Sequence, residues 1–291
     1  VSTADNDTAG FTVAESGGST AVAETGSTDT FTVVLDAQPT SDVVISVVSS
    51  DTGEATAAPT PLTFTNGNWD TPQTVTITGV DDDLVDGSQT TTTTLSVVDA
   101  SSDDSFDSLA DQTVSVSTAD NDTAGFTVAE SGGSTTVAET GSTDTFTVVL
   151  TKGPLTDVVL SVASSDTGEA TVSPATLTFT NGNWDTPQTV TITGADDSLI
   201  DSTQTSTITI SIVDEISNDD FDGVADQTVS VSTTDNDTAG FTVAESGGST
   251  TVAETGSTDT FTVVLNAQPT SDVVISVVSS DTGEATVSAG T

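Results

Sequence analysis

The chain has no cysteine, no histidine and no tyrosine, and Lys152 is its single basic residue among 291. The first two absences exclude disulfides, thiolate chemistry, imidazole bases and zinc sites of the Cys/His kind. The shortage of Lys and Arg leaves a formal net charge of −44. Such a chain is repelled by nucleic acid and by anionic membrane surfaces, and its natural counter-ions are metal cations. No run approaches the ~20 apolar residues of a membrane helix. No signal-peptide pattern is visible, and no segment carries helical periodicity over a useful length.

What is present is repetition. Asp5-Asn6-Asp7-Thr8-Ala9-Gly10-Phe11 recurs from Asp120 to Phe126 and from Asp235 to Phe241, a spacing of 115 residues each time. Trp69 and Trp184 keep that spacing, as do Phe106 and Phe221. Residues 5–56 and 235–286 differ only at Ala21 against Thr251 and Asp36 against Asn266, which suggests recent duplication. A repeat of this length is large enough to bury a core of its own, and a tandem array of such units is a rod. The expected division is 1–9 as the last strand and linker of a preceding repeat, 10–122 and 123–237 as full repeats, and 238–291 as the first half of a third. On this reading the chain is an excerpt of a longer array.

Within a repeat, apolar residues alternate with Thr and Ser. Phe31, Val33 and Leu35 share one face; so do Val43, Ile45 and Val47, then Leu62 and Phe64, Val75 and Ile77, Leu95 and Val97, Val114 and Val116. Period-two alternation with β-branched residues marks half-buried strands. Ser16-Gly17-Gly18, Gln38-Pro39, Asp51-Thr52-Gly53 and Asn66-Gly67-Asn68 supply the turns between them. Seven or eight short strands in about 110 residues predict an all-β fold, an antiparallel sandwich of immunoglobulin-like type. Trp69 is expected to cover the core or a sheet edge.

Acidic residues gather in the turns. One cluster is Asp5, Asn6 and Asp7, repeated as Asp120, Asn121 and Asp122 and as Asp235, Asn236 and Asp237. A second is Asp81, Asp82 and Asp83 with Asp86, matched by Asp196, Asp197 and Asp201, with Ser198 in place of the third acid. Glu15, Glu130 and Glu245 close each first strand, and Asp51 with Glu54 is matched by Asp166 with Glu169 and by Asp281 with Glu284. Hard oxygen ligands on adaptable turns suit calcium, which takes six to eight oxygens, better than magnesium, which demands a strict octahedron. The alternative is a solvated acidic surface that aids solubility. Crowded carboxylates with no basic partner are costly unless a cation neutralises them, and this favours calcium. Asn6-Asp7-Thr8 and its copies also match a glycosylation sequon; in the calcium reading the Asn is a linker residue supplying a carbonyl.

The run from Val75 through Gly79, Asp81-Asp82-Asp83 and Asp86, with Leu95-Ser-Val-Val and Val114 to Asp122, resembles the second half of a Calx-beta-type domain. Phe11-Thr-Val-Ala-Glu15 is similar to its first strand, and Leu62 to Gln73 is similar to a segment of bacterial immunoglobulin-like surface repeats. The resemblance implies a calcium-binding sandwich of the kind found in exchangers, integrin subunits and large bacterial adhesins. Carried over, it places Glu15, Asp51 and Asp120 to Asp122 in the calcium cluster of the first repeat. The family often ends in three acids, whereas Asn121 interrupts them here.

The leading functional expectation is therefore an extracellular, bacterial stalk of a repetitive adhesin, stiffened by calcium between neighbouring repeats. The alternative is a self-assembling filament or surface-layer subunit, in which identical chains complete one another by strand exchange. Catalysis is disfavoured, because the acids recur at every turn whereas catalytic sites are singular and concave. Salt adaptation without specific calcium is a further reading of the charge.

Overall fold

The computed structural model describes residues 6–288. The first repeat forms ten strands: β1 (Phe11–Glu15), β2 (Thr20–Ala23), β3 (Thr28–Leu35), β4 (Val43–Ser49), β5 (Ala55–Ala58), β6 (Leu62–Phe64), β7 (Gln73–Gly79), β8 (Leu84–Val85), β9 (Gln89–Val97) and β10 (Gln112–Ala119). They make two sheets, ordered β1-β3-β7-β5 and β2-β10-β9-β4-β6, with β8 outside both. The alternating faces read from the sequence point inward: Phe31, Val33, Leu35, Ile45, Leu62, Phe64, Ile77, Leu95 and Val116 are all buried in one cluster. Side chains alternate across a strand, so each strand gives one row to the core and leaves its Thr and Ser row to solvent. Trp69 packs half-buried against this cluster.

One feature departs from a purely antiparallel sandwich. β1 pairs antiparallel with β3, but after the Ser16–Gly18 turn the chain crosses to the opposite sheet, where β2 runs parallel to β10. The turn needs a left-handed backbone at Gly17 (φ 72) and Gly18 (φ 84), which glycine adopts without steric cost. The parallel register brings Val116 opposite Thr20 and Ala119 opposite Ala23.

The second repeat copies this plan with β11 (Phe126–Glu130), β12 (Thr135–Ala138), β13 (Thr143–Leu150), β14 (Gly153–Pro154), β15 (Val158–Ser164), β16 (Ala170–Ser173), β17 (Thr176–Phe179), β18 (Gln188–Gly194), β19 (Gln204–Ile212) and β20 (Gln227–Thr234). Its sheets are β11-β13-β18-β16 and β12-β20-β19-β15-β17, around a core that includes Phe146, Phe179 and Phe221. In the third, β21 (Phe241–Glu245) pairs with β22 (Phe261–Leu265). Phe241 and Phe261 are exposed there, where their counterparts Phe11 and Phe31 are buried. Residues 250–253 and 273–279, which match β2 and β4 in sequence, form no strands there. The expected strand at Val1 and the acid Asp5 lie outside the described residues.

Some acids have purely architectural partners. The buried Asp103 carboxylate accepts from Thr40 Oγ1 at 2.6 Å, Thr40 N at 2.7 Å, Ser41 N at 3.0 Å and Ser105 N at 3.0 Å. These bonds, the Thr40 hydroxyl first, hold its carboxyl well below the usual range. Asn218 takes the position in the second repeat.

The two full sandwiches meet through β8. It pairs in parallel with β14, Leu84 opposite Gly153 and Val85 opposite Pro154. Val85 is buried in the hydrophobic core of the second repeat. A Cβ on Gly153 would lie 2.9 Å from Leu84 Cδ2 and 3.0 Å from Trp184 Nε1, so glycine is what permits Leu84 to approach this closely.

Candidate metal centre

Three elements end at one place. β2 ends just before Glu24 and β10 just before Asp120, with Glu24 N donating to Ala119 O at 3.1 Å. Asp82 lies in the loop after β7, Asp86 directly follows β8, and Glu54 leads into β5. Carboxylate oxygens of Glu24, Asp120 and Asp122 all lie within 4.8 Å of one another. In the second repeat, oxygens of Glu139, Asp197 and Asp237 do the same, as do those of Glu139, Glu169 and Asp201.

The backbone organises these acids. Asp120 Oδ2 accepts from Asp86 N at 3.1 Å and Gly87 N at 2.8 Å, and its Oδ1 accepts from Asp122 N at 2.5 Å. Asp235 takes the same bonds from Asp201, Ser202 and Asp237. Those amide bonds, Asp237 N first, hold the Asp235 carboxyl below its usual range. Asn121 N donates to Glu24 Oε2 at 3.2 Å, and Asn121 Nδ2 donates to Asp81 Oδ1 at 2.7 Å. Asn236 repeats both bonds, to Glu139 and Asp196. The linker asparagines thus tie the acidic segments together through their amides.

The other acids are buried against one another. Glu24 and Glu139 are each 1% exposed, and Glu54 and Glu169 each 9%. Burial, followed by the charges of Asp120, Asp82 and Asp86, pushes the Glu24 carboxyl up to about 7. Burial likewise raises Glu54, Asp86, Glu139, Glu169 and Asp237. Of the buried side-chain oxygens without a hydrogen-bond partner among the described residues, six belong to these acids: Glu54 Oε2, Asp86 Oδ1 and Asp122 Oδ2 in the first repeat, and Glu169 Oε2, Asp201 Oδ1 and Asp237 Oδ2 at the same positions in the second. Lone pairs desolvated without a donor are destabilising, more so when charged. A cation or a proton would satisfy them. Every donor is an oxygen, and the set is dense and carried on turns, which fits calcium and excludes a soft metal.

The acids expected from the sequence divide into two groups. Glu54, Asp82, Asp86, Asp120 and Asp122 converge with Glu24, and their counterparts Glu169, Asp197, Asp201, Asp235 and Asp237 converge with Glu139. Asn121 with Asp81, and Asn236 with Asp196, border these clusters through the hydrogen bonds above, and the rest sit elsewhere. Glu15 and Glu130 accept from Thr20 Oγ1 at 2.9 Å and Thr135 Oγ1 at 2.8 Å. Asp51, Asp166 and Asp281 cap turns through Gly53, Gly168 and Gly283 N, although the charge of Asp51 still reaches Glu54. Glu245, Asn6 and Asp7 are exposed. Asp83 pairs with Lys152 at 2.7 Å.

Glu24 and Glu139 are absent from the acids singled out in the sequence. The tripeptide Val-Ala-Glu occurs twice per repeat, at 13–15 and 22–24, and a first-strand reading selects the earlier copy. Only the parallel pairing of β2 with β10 puts the later one beside Asp120.

The site faces the next sandwich. A shallow depression is lined by Asp120, Asp122, Val85, Gly87 and, from the second repeat, Asp220 and Val224. A different depression, within the second repeat, is lined by Glu139, Gly194, Asp196 and Asn236.

No family model matches the chain, and no curated protein matches it. Among solved structures it is similar to CBD12 from CALX1.2 (12% identity, 76% of this chain and 99% of that chain, TM-score 0.28). It is similar to domains 4 and 5 of the S-layer protein SbsC (16%, 78% and 99%, TM-score 0.31) and to the apo-form Calx CBD1 domain (18%, 38% and 98%, TM-score 0.29). The chain's own carboxylates carry the functional reading.

Proposed function

We propose that this chain is a non-catalytic spacer from a repetitive extracellular surface protein, a bacterial stalk whose sandwiches bind calcium beside each joint. Residues 10–122 and 123–237 are its full repeats, 1–9 the tail of a preceding one and 238–291 the start of a third. Glu24, Glu54, Asp82, Asp86, Asp120 and Asp122 hold calcium in the first, and Glu139, Glu169, Asp197, Asp201, Asp235 and Asp237 in the second. Calcium there neutralises acids on four segments at once and fixes the linker that leads into the next sandwich. The observation that carries this is the recurrence, at the same positions in both repeats, of buried carboxylate oxygens with no donor. Among the described residues no helix is long and apolar enough to cross a membrane.

The test is thermal unfolding and small-angle X-ray scattering of the full chain in calcium, in EGTA, in magnesium, and in sodium chloride at matched ionic strength. Calcium is expected to raise the unfolding temperature and lengthen the particle, with magnesium weaker and sodium without effect. Equal effects of sodium and calcium would reduce the acids to a solvated surface. A particle that grows with protein concentration would instead favour the self-assembling filament.

A further inference from the structure

The chain's one ammonium sits at the joint between the two full sandwiches. Lys152 Nζ lies 2.6 Å from Asp122 Oδ1 and 2.7 Å from Asp83 Oδ1. Both acids belong to the first repeat or its linker, and Lys152 belongs to the second. The Asp122 side chain is 2% exposed, and its other oxygen is one of those without a donor. Next to this pair, Gly153 N donates to Asp83 O at 2.7 Å, and Val85 is buried in the second core. The ammonium therefore spans the seam where the two sandwiches touch.

At the following joint the same backbone contact persists without the ion pair. Gln268 N donates to Ser198 O at 2.6 Å, and Ile200 N donates to Gln268 O at 3.2 Å. Ser198 stands 115 residues after Asp83, and Ala267 stands 115 residues after Lys152. Both members of the pair are missing together, while Asp237, the counterpart of Asp122, is retained. Ser198 removes the acid that the missing base would have left exposed at the seam, whereas Asp237 keeps its charge with no lysine at the position that faces it in the first joint. That the two positions change as a unit marks them as one device.

We propose that Lys152 is a resident counter-cation that holds the joint between the first and second repeats without a divalent ion, whereas a joint carrying the Ser198 and Ala267 pattern depends on bound calcium. This rests on the calcium reading for the second half of the statement only. The array then contains joints of two kinds. One keeps its angle when calcium falls, and the other loosens. Lys152 neutralises one oxygen of Asp122 and leaves the inward one for the metal, so the two cations coexist.

The absence of cysteine allows clean spin labelling of the full chain. Nitroxides on Thr63→Cys and Thr178→Cys, exposed positions on β6 and β17, report the distance between sandwiches by double electron–electron resonance. Low salt, about 10 mM, keeps charge interactions long-ranged. With Lys152 present, a single narrow distance is expected in both EGTA and calcium. In the Asp83→Ser, Lys152→Ala background the narrow peak is expected to be lost in EGTA and recovered in calcium. Lys152→Arg is expected to keep the narrow peak in EGTA, which separates lost charge from lost folding. A narrow peak for the double variant in EGTA, or an equal loss of the peak in the parent, would overturn the proposal. A double variant that stays broad in calcium while the parent stays narrow would retain the resident cation and sink the calcium dependence.

Discussion

Gly79→Ala is expected to lower the unfolding temperature of the first sandwich by about 12 °C and to weaken its metal site. A Cβ built on Gly79 would lie 2.1 Å from the backbone oxygen of Ala23 and 2.7 Å from its carbonyl carbon. Neither can swing aside as a flexible side chain would, so β2 or β7 has to move. Overpacking costs about 1–3 kcal/mol and occasionally more, and a clash this deep with backbone belongs at about 3 kcal/mol. At roughly 4 °C per kcal/mol for a unit of this size, that is about 12 °C. The site suffers too, because Ala23 immediately precedes Glu24 and any retreat of β2 withdraws that carboxylate from Asp120 and Asp122. Gly194→Ala should reproduce both effects in the second sandwich, where the same 2.1 Å approach is to Ala138 O. Gly67→Ala is the control, since its Cβ would meet only Thr65 Oγ1 at 3.9 Å. Differential scanning calorimetry with and without calcium reads the two effects. A Gly79→Ala protein that melts with the parent and answers calcium equally would show that the β2–β7 approach is not needed.

This close approach also marks where the sequence stops being readable. The strand faces were legible because alternation is a local property. Phe31, Val33 and Leu35, or Leu62 and Phe64, announce a buried row without reference to any partner, and they are buried. Most of the converging acids were legible as well, since Asp82, Asp86, Asp120 and Asp122 are crowded within short turns. Glu24 was not. Its neighbours in space come from residues 82–86 and 120–122, and what joins them is a parallel pairing of β2 with β10 across almost a whole repeat. Parallel pairing needs a crossover connection and leaves no turn signature. Glu15, in the same tripeptide, ends an antiparallel strand facing Phe31 and is spent on Thr20. Ser198 and Ala267 raise the same difficulty from the other side. Each looks like an isolated substitution until the joint puts their counterparts, Asp83 and Lys152, in contact.

The second large effect is a reversal with pH that depends on Glu24. Its carboxyl sits at about 7 in the folded protein against 4.5 as its ordinary value, raised by burial first and by Asp120, Asp82 and Asp86 next. Between those values the folded state holds a proton that the unfolded state has released. In EGTA, therefore, Glu24 contributes stability that is fully present below pH 4.5 and lost as pH rises through about 7. Calcium requires the ionised form and competes with that proton, so its stabilisation should be largest near pH 8 and shrink toward pH 5. With calcium at about 100 times its dissociation constant, one site contributes about 2.7 kcal/mol. That corresponds to about 10 °C for a sandwich of this size. Glu24→Gln keeps the shape and removes the charge. In EGTA at pH 8 the variant should melt above the parent, because a buried repulsive charge is gone, and its melting temperature should vary less between pH 5 and pH 8. In calcium at pH 8 it should melt below the parent, because the first sandwich forfeits most of its shift. Glu139→Gln should do the same in the second, where Glu139 belongs to both groups of converging oxygens. Calorimetry of parent and variants at pH 5 and pH 8, each in EGTA and calcium, decides the matter. A variant that melts above the parent in both EGTA and calcium would mean that Glu24 meets no cation, and one that melts below it in both would mean that Glu24 carries no buried repulsive charge.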